Sequence, residues 1–257
     1  MKRILLGAAG FVAAVSLAAP ASAADLAPRV YTKAPPPMVA AIYDWSGFFI
    51  GINGGGGSSH KSWDLTNDDI TGAGIIPAFR EGSHDATGGF VGGQIGYRWQ
   101  SANWVFGVEA QGDWADFKGS NTSLFFGPGF DNQTRIDAFG LFTGQVGYAW
   151  NNVLWYVKGG AAVVDDRYRG LLAGAVLDQA NDTRWGGTVG TGIEIGFAPN
   201  WSVAFEYDHL FMGNQGVNFS FAGAGGAFSR SDSIHQDVDI GSVRVNYRWG
   251  GPVIAKY

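Results

Sequence analysis

The chain has 257 residues, no cysteine, 41 glycines, 14% aromatic residues and a net charge of −5. The acidic balance argues against a nucleic-acid partner, which needs a basic face, and the missing cysteines exclude a disulfide framework. No Walker loop, zinc-ligand spacing or G-x-S-x-G nucleophile motif occurs, so no catalytic residue, cofactor or metal is assigned.

The first residues read as a secretory signal. Lys2 and Arg3 form a positive start, Ile4 to Ala19 is a short apolar run, and Ala21-Ser22-Ala23 is a small-residue cleavage site. Residues 1–23 are therefore expected to be removed, which takes the net charge to −7. Residues 24–44 read as a periplasmic linker, because Pro28, Pro35, Pro36 and Pro37 favour an extended, unpaired chain. Residues 45–257 are expected to form one all-β domain. A mean hydropathy of +0.01 suits a barrel in which only alternate residues of each strand face lipid.

A repeat near 50 residues organises that domain. Gly93-Gln94-Ile95-Gly96-Tyr97-Arg98-Trp99 returns as Gly144-Gln145-Val146-Gly147-Tyr148-Ala149-Trp150, then as Glu194-Ile195-Gly196-Phe197 and Val245-Asn246-Tyr247-Arg248-Trp249. Trp104, Trp155 and Trp201 open a second apolar run after three of these copies. Each unit reads as strand, short turn, strand, long loop. The pattern predicts an eight-stranded antiparallel up-and-down barrel with strands near 46–56, 87–99, 104–117, 134–150, 154–164, 184–197, 201–210 and 236–249. Long connections are expected at 57–86, 118–133, 165–183 and 211–235, with Pro77 and Pro128 inside them. Short turns on one rim and long loops on the other predict an outer membrane, with periplasmic termini and extracellular long loops.

Strand alternation sorts the side chains into two sets. Val91, Ile95, Tyr97 and Trp99 share one face of the second strand, against Gln94 and Arg98. The same sorting in the other strands collects nearly every strand charge on the opposite face. The predicted lumen holds Arg98, Arg135, Lys158, Arg244 and Arg248 with Glu109, Asp113, Asp137, Glu194, Glu206 and Asp208. These are read as a charged network that plugs the barrel. Trp45, Trp99, Trp104, Trp150, Trp155, Trp201 and Trp249 are expected to form an aromatic belt at the inner membrane interface. Phe49 breaks the alternation of the first strand. Val238 and Ile240 break that of the last, where a bulge near Gly241 is expected.

Three stretches resemble the small alphaproteobacterial outer-membrane barrel family, which includes RopB-like major outer-membrane proteins and hemin-binding relatives. They are Ala24-Asp25-Leu26-Ala27-Pro28, Tyr43-Asp44-Trp45-Ser46-Gly47-Phe48-Phe49-Ile50-Gly51 and Val245-Asn246-Tyr247-Arg248-Trp249. The resemblance implies a porin-like surface protein that supports envelope integrity and surface contact. It implies outer-membrane lipid and lipopolysaccharide as neighbours. It also implies the barrel-assembly machinery as a partner during biogenesis, with the assembly signal ending at Trp249 or Tyr257. Hemin or another ligand at His60, His84, His209 and His235, or a narrow channel, are the alternative functions. Acid–base chemistry by Glu206, Asp208 and His209 is disfavoured, because His209 points away from the two carboxylates.

Overall fold

The computed structural model describes residues 43–223 and 225–249. The expected signal at 1–23, most of the linker and the tail at 250–257 lie outside them. Eight strands make up nearly all of the described chain: β1 (Gly47–Asp68), β2 (Gly74–Ser101), β3 (Trp104–Thr122), β4 (Phe130–Trp150), β5 (Val153–Leu172), β6 (Ala175–Ala198), β7 (Trp201–Phe221) and β8 (Phe228–Trp249). They close into a barrel in chain order with every neighbour antiparallel. β8 pairs with β1 from Phe48 opposite Trp249 to Asp68 opposite Arg230.

The barrel is taller than expected. Its strands run from 19 to 28 residues, about twice the length that crosses a bilayer. The four long connections are mostly sheet, and the turns at this rim are confined to 69–73, 123–129, 173–174 and 222–227. The outward pattern explains why these stretches read as loops. On β1, Phe48, Ile50 and Ile52 face out, then Gly54 and Gly56, then Ser58, His60, Ser62 and Asp64. Trp63 and Leu65 are buried inside at the same height. The outer face has become polar, so the apolar residues turn inward. Pro77 also lies within β2, at an irregularity where Leu65 and Asn67 pair with Phe79 and Ile75, the kind of position that tolerates a missing N–H.

β8 makes the same inversion without changing phase. Val243, Val245, Tyr247 and Trp249 face out, while Ile234, Val238 and Ile240 are buried within. No register shift occurs at Gly241 in either ladder, so the expected bulge there is absent. Phe49 likewise faces the lumen, where the Arg98 guanidinium lies 4.4 Å from its ring centre.

Three site residues are corrected. Arg135 and Asp137 lie on the outer wall, not in the lumen. β4 slips register between Ile136 and Ala138 against β5, and β3 slips between Trp114 and Phe117 against β4. Below the slip, odd residues such as Phe139 and Leu141 point inward; above it, even ones such as Ile136 and Thr134 do. Trp45 leaves the aromatic belt and is 1% exposed. It precedes the first paired residue, Gly47, whose φ of 124° lets the chain turn under the rim. Its Nε1 donates to the Asn151 carbonyl at 3.0 Å. Trp99, Trp104, Trp150, Trp155, Trp201 and Trp249 do form an exposed outward ring at this rim, and Trp114, Trp185 and Tyr207 stand outward farther up.

The lower turns add a repeat that the sequence reading missed. Asn103, Asn152 and Asn200 each follow one residue into a turn. Their Nδ2 atoms donate to the carbonyls of Ala149 (2.9 Å), Gly196 (3.1 Å) and Arg248 (2.7 Å). Their own carbonyls accept from the backbone N–H groups of the same three residues at 2.7 to 2.8 Å. Each hairpin is thus fastened to the following one.

The inverted region encloses a true apolar core. Phe90, Phe117, Phe139, Leu141, Val164, Leu210 and Val238 belong to one buried cluster, and the Phe90 and Phe139 rings meet edge to face at 5.1 Å. Phe139→Ala should lower stability by about 3–5 kcal/mol, read as a shift of the urea unfolding curve from vesicles. The neighbouring outward Phe142→Ala should shift it less.

Candidate functional site

The lumen is a stack of layers, each contributed by inward residues from all round the ring. The floor holds Tyr43 and Trp45 with Val105, Ala149, Leu154 and Tyr156. Arg248 belongs to this floor. Its guanidinium lies 5.0 Å from the Tyr43 ring centre and donates to the carbonyls of Ser46 at 3.0 Å and Pro199 at 3.1 Å.

Above the floor is the ionic layer. Arg98 Nη2 meets Glu194 Oε2 at 2.8 Å. Glu194 also accepts from the Ser202 hydroxyl and from Asn246 Nδ2 at 3.0 Å. Asn246 Oδ1 accepts from Gln94 at 2.7 Å, and Gln94 Oε1 accepts from Asn53 at 2.8 Å. Beside this chain, Lys158 Nζ lies 2.6 Å from Glu206, 3.3 Å from Asp208 and 3.6 Å from Glu109. Arg244 bridges Glu206 at 2.5 Å and Glu109 at 2.6 Å. The Tyr156 hydroxyl donates to Glu206 at 2.6 Å, and Gln111 donates to Asp113 at 2.8 Å. Nine of the eleven expected lumen charges therefore face inward, eight of them in this layer, and Arg135 and Asp137 do not.

The apolar cluster follows, at the height of Trp114 and Trp185 outside. Above it comes a second polar set, most of it in stretches that the sequence reading assigned to loops. Lys61 Nζ meets Asp166 at 2.5 Å and Gln236 at 2.8 Å. Trp63 packs edge-on against Tyr168 at 5.3 Å. His84 bonds Asn121 at 2.7 Å and Thr134 at 3.1 Å. Near the top, Arg230 gathers Glu81 (2.8 Å), Asp178 (2.9 Å), Asp232 (2.9 Å) and Asn132 (2.9 Å), with the Phe219 ring centre 4.4 Å away. Burial pushes the Asp232 carboxyl well above its ordinary range; Arg230 opposes that rise, and Glu81 and Asp178 add to it. A signal for this set did exist: Gln236, Ile234, Asp232 and Arg230 continue the even phase of Arg244 up the barrel without a break.

The four histidines do not converge. His84 is inside, whereas His60, His209 and His235 stand on the outer wall beside Asp85 (2.7 Å), Asp239 (2.7 Å) and Asp237 (3.1 Å). His209 also faces away from Glu206 and Asp208. Among the described residues, no group of three or more His, Cys, Asp or Glu side chains is arranged to hold a metal ion.

Residues 9–229 match the family described as outer membrane protein beta-barrel domain. A 31 kDa outer-membrane immunogenic protein of Brucella melitensis is 30% identical over 236 residues, covering 84% of this chain and 90% of that protein. A 22 kDa outer membrane protein of Rhizobium leguminosarum bv. viciae is 30% identical over 168 residues, covering 63% of this chain and 62% of that protein. The crystal structure of the outer membrane protein OprG from Pseudomonas aeruginosa shares the fold, with a TM-score of 0.51 at 12% identity over 79% of this chain and 97% of that one. The closed ring of eight strands, its aromatic-edged apolar belt and these matches together make the chain a member of the outer-membrane β-barrel family.

Proposed function

We propose that this barrel is a surface protein of the cell envelope whose lumen is closed to solutes, so that it acts as a wall and a platform and not as a pore. The observation that supports this reading is the vertical order of the lumen. An ion crossing it would have to pass the aromatic floor, break the Lys158–Arg244 cluster and then enter an apolar layer whose residues are 0–7% exposed. Uncompensated transfer of a charge into such a layer is costly. In this reading the short turns and both termini face the periplasm. The tall rim rises outside the cell, and the chain reaches its place through the barrel-assembly machinery.

The ionic layer has a second role in the same reading. A buried ion pair adds little net stability over apolar packing, but loss of one partner strands the other. Lys158 and Arg244 together hold Glu109 and Glu206, which come from β3 and β7 on opposite sides of the lumen. They tie the ring across its middle and penalise any slip in register.

Two measurements test the proposal. Planar-bilayer recordings of the purified barrel should show no sustained conductance steps; a large, stable open level would refute closure. Lys158→Met should cost about 3–5 kcal/mol in urea unfolding, whereas Lys118→Met, which breaks an exposed pair with Asp116, should stay within about 1 kcal/mol.

A further inference from the structure

The outer wall of β3, β4 and β5 carries an arrangement that the closed lumen does not use. Lys118 stands opposite Arg135, and Arg135 opposite Arg167, so three cations share one row. Like charges placed directly opposite destabilise a sheet. Two carboxylates partly offset the row. Asp116 holds Lys118 at 2.8 Å and Arg135 at 3.1 Å, and Asp137 holds Arg135 at 2.6 Å and Arg167 at 2.9 Å. Arg169, one step higher on β5, makes no ion pair among the described residues. The wall opens here into a cavity of about 160 Å³ lined by Lys118, Gln133, Thr134, Arg135, Arg167 and Arg169. That lining contains four cations and no carboxylate.

The backbone is shaped to make this site. The slip between Ile136 and Ala138 turns Arg135 outward; in the phase of the lower strand it would face the lumen. Bulges commonly re-aim side chains in this way. The height also matters. Lys118 lies four residues above Trp114, which is 76% exposed, or roughly 10 Å along the barrel axis at the usual rise and tilt. Directly below the cavity the exposed Asp165 stands opposite Ala138 as a third nearby carboxylate, and only below that row is the wall apolar. There Gly140 stands opposite Val163 and Val163 opposite Trp185, and Phe142 stacks on Trp185 at 6.3 Å.

We propose that the cavity seats the acidic headgroup of an outer-leaflet glycolipid, phosphate or carboxylate, while its acyl chains pass Asp165 and lie on the apolar wall around Val163, Phe142 and Trp185. Arginine forks match both anions in a two-bond geometry, and the cavity has room for a group the size of several waters at about 30 Å³ each. The assignment of leaflet rests on the proposed orientation; the binding chemistry does not.

The test uses the full chain, folded in a neutral maltoside detergent, with diphosphoryl lipid A as the probe and native mass spectrometry as the readout. The expected result is one retained lipid A, with at least a tenfold loss of affinity in the Arg167→Gln/Arg169→Gln variant. Arg80→Gln, which removes an exposed cation from β2, should bind as the parent does. Heat modifiability on a gel verifies that each variant is folded. Dephosphorylated lipid A and phosphatidylcholine should bind weakly, and inorganic phosphate should not displace the lipid. Equal binding by the double variant overturns the site. Displacement by inorganic phosphate reassigns it to a soluble anion. Crosslinked dimers lost in the double variant, with lipid binding unchanged, reassign it to contact between copies. If lipid A binds as expected but surface proteolysis of intact cells leaves 69–73 and 222–227 uncut, the orientation fails and the site stands.

Discussion

A strand can offer only two faces, and their alternation is fixed by the backbone. Here the liquid against the outer face changes from hydrocarbon to water partway along each strand, and the rest of the molecule follows from that. In the lower half the apolar residues belong outside and the polar ones must be accommodated inside, where they pair with one another. In the upper half the order reverses. β8 reverses by sequence alone, placing valines on odd positions below and Val238 and Ile240 on even positions above. β4 does the same, with Gln145 and Thr143 inside below and Leu141 and Phe139 inside above, and it slips a residue only higher, at Ile136/Ala138. That slip is what leaves Arg135 and Asp137 on the outside.

This inversion also explains what could be read from the sequence. The lower half was legible: eight strands, the three short turns, the exposed tryptophan ring and the inward placement of Arg98, Lys158, Glu194 and Arg244 all follow from period-two patterning beside a Trp-edged turn. The upper half was not, because Ser58, His60, Ser62 and Asp64 alternate with Ser59, Lys61, Trp63 and Leu65. Polar residues occur on both faces there, and the alternation loses contrast although the ladder continues. The dissonant residues, Phe49, Val238 and Ile240, carried the information. Each was an apolar residue on the polar face, and each proved to pack inside. Trp45 was misplaced for a different reason: it lies before the ladder begins, where alternation says nothing.

The lumen shows how a narrow barrel manages buried charge. Its ionic residues come from strands that are not neighbours, as with Lys158 on β5 and Glu206 on β7, or Arg98 on β2 and Glu194 on β6. Such pairs contribute little to the ladder between adjacent strands. They constrain the ring as a whole, because a one-residue slip in any strand turns its lumen side chain out into lipid. The apolar layer above supplies cohesion, and the ionic layer supplies uniqueness.

The asparagine clasps at the lower rim give the ring a direction. Asn103 reaches from the β2–β3 turn to β4, Asn152 from the β4–β5 turn to β6, and Asn200 from the β6–β7 turn to β8. Every clasp points from an earlier hairpin to a later one, and none points back. At this rim the donor and the acceptor of each turn asparagine are met by the strand that follows its hairpin. Each clasp thus spans one seam between hairpins, and at the seam between β8 and β1 Arg248 reaches across instead, donating to the Ser46 carbonyl.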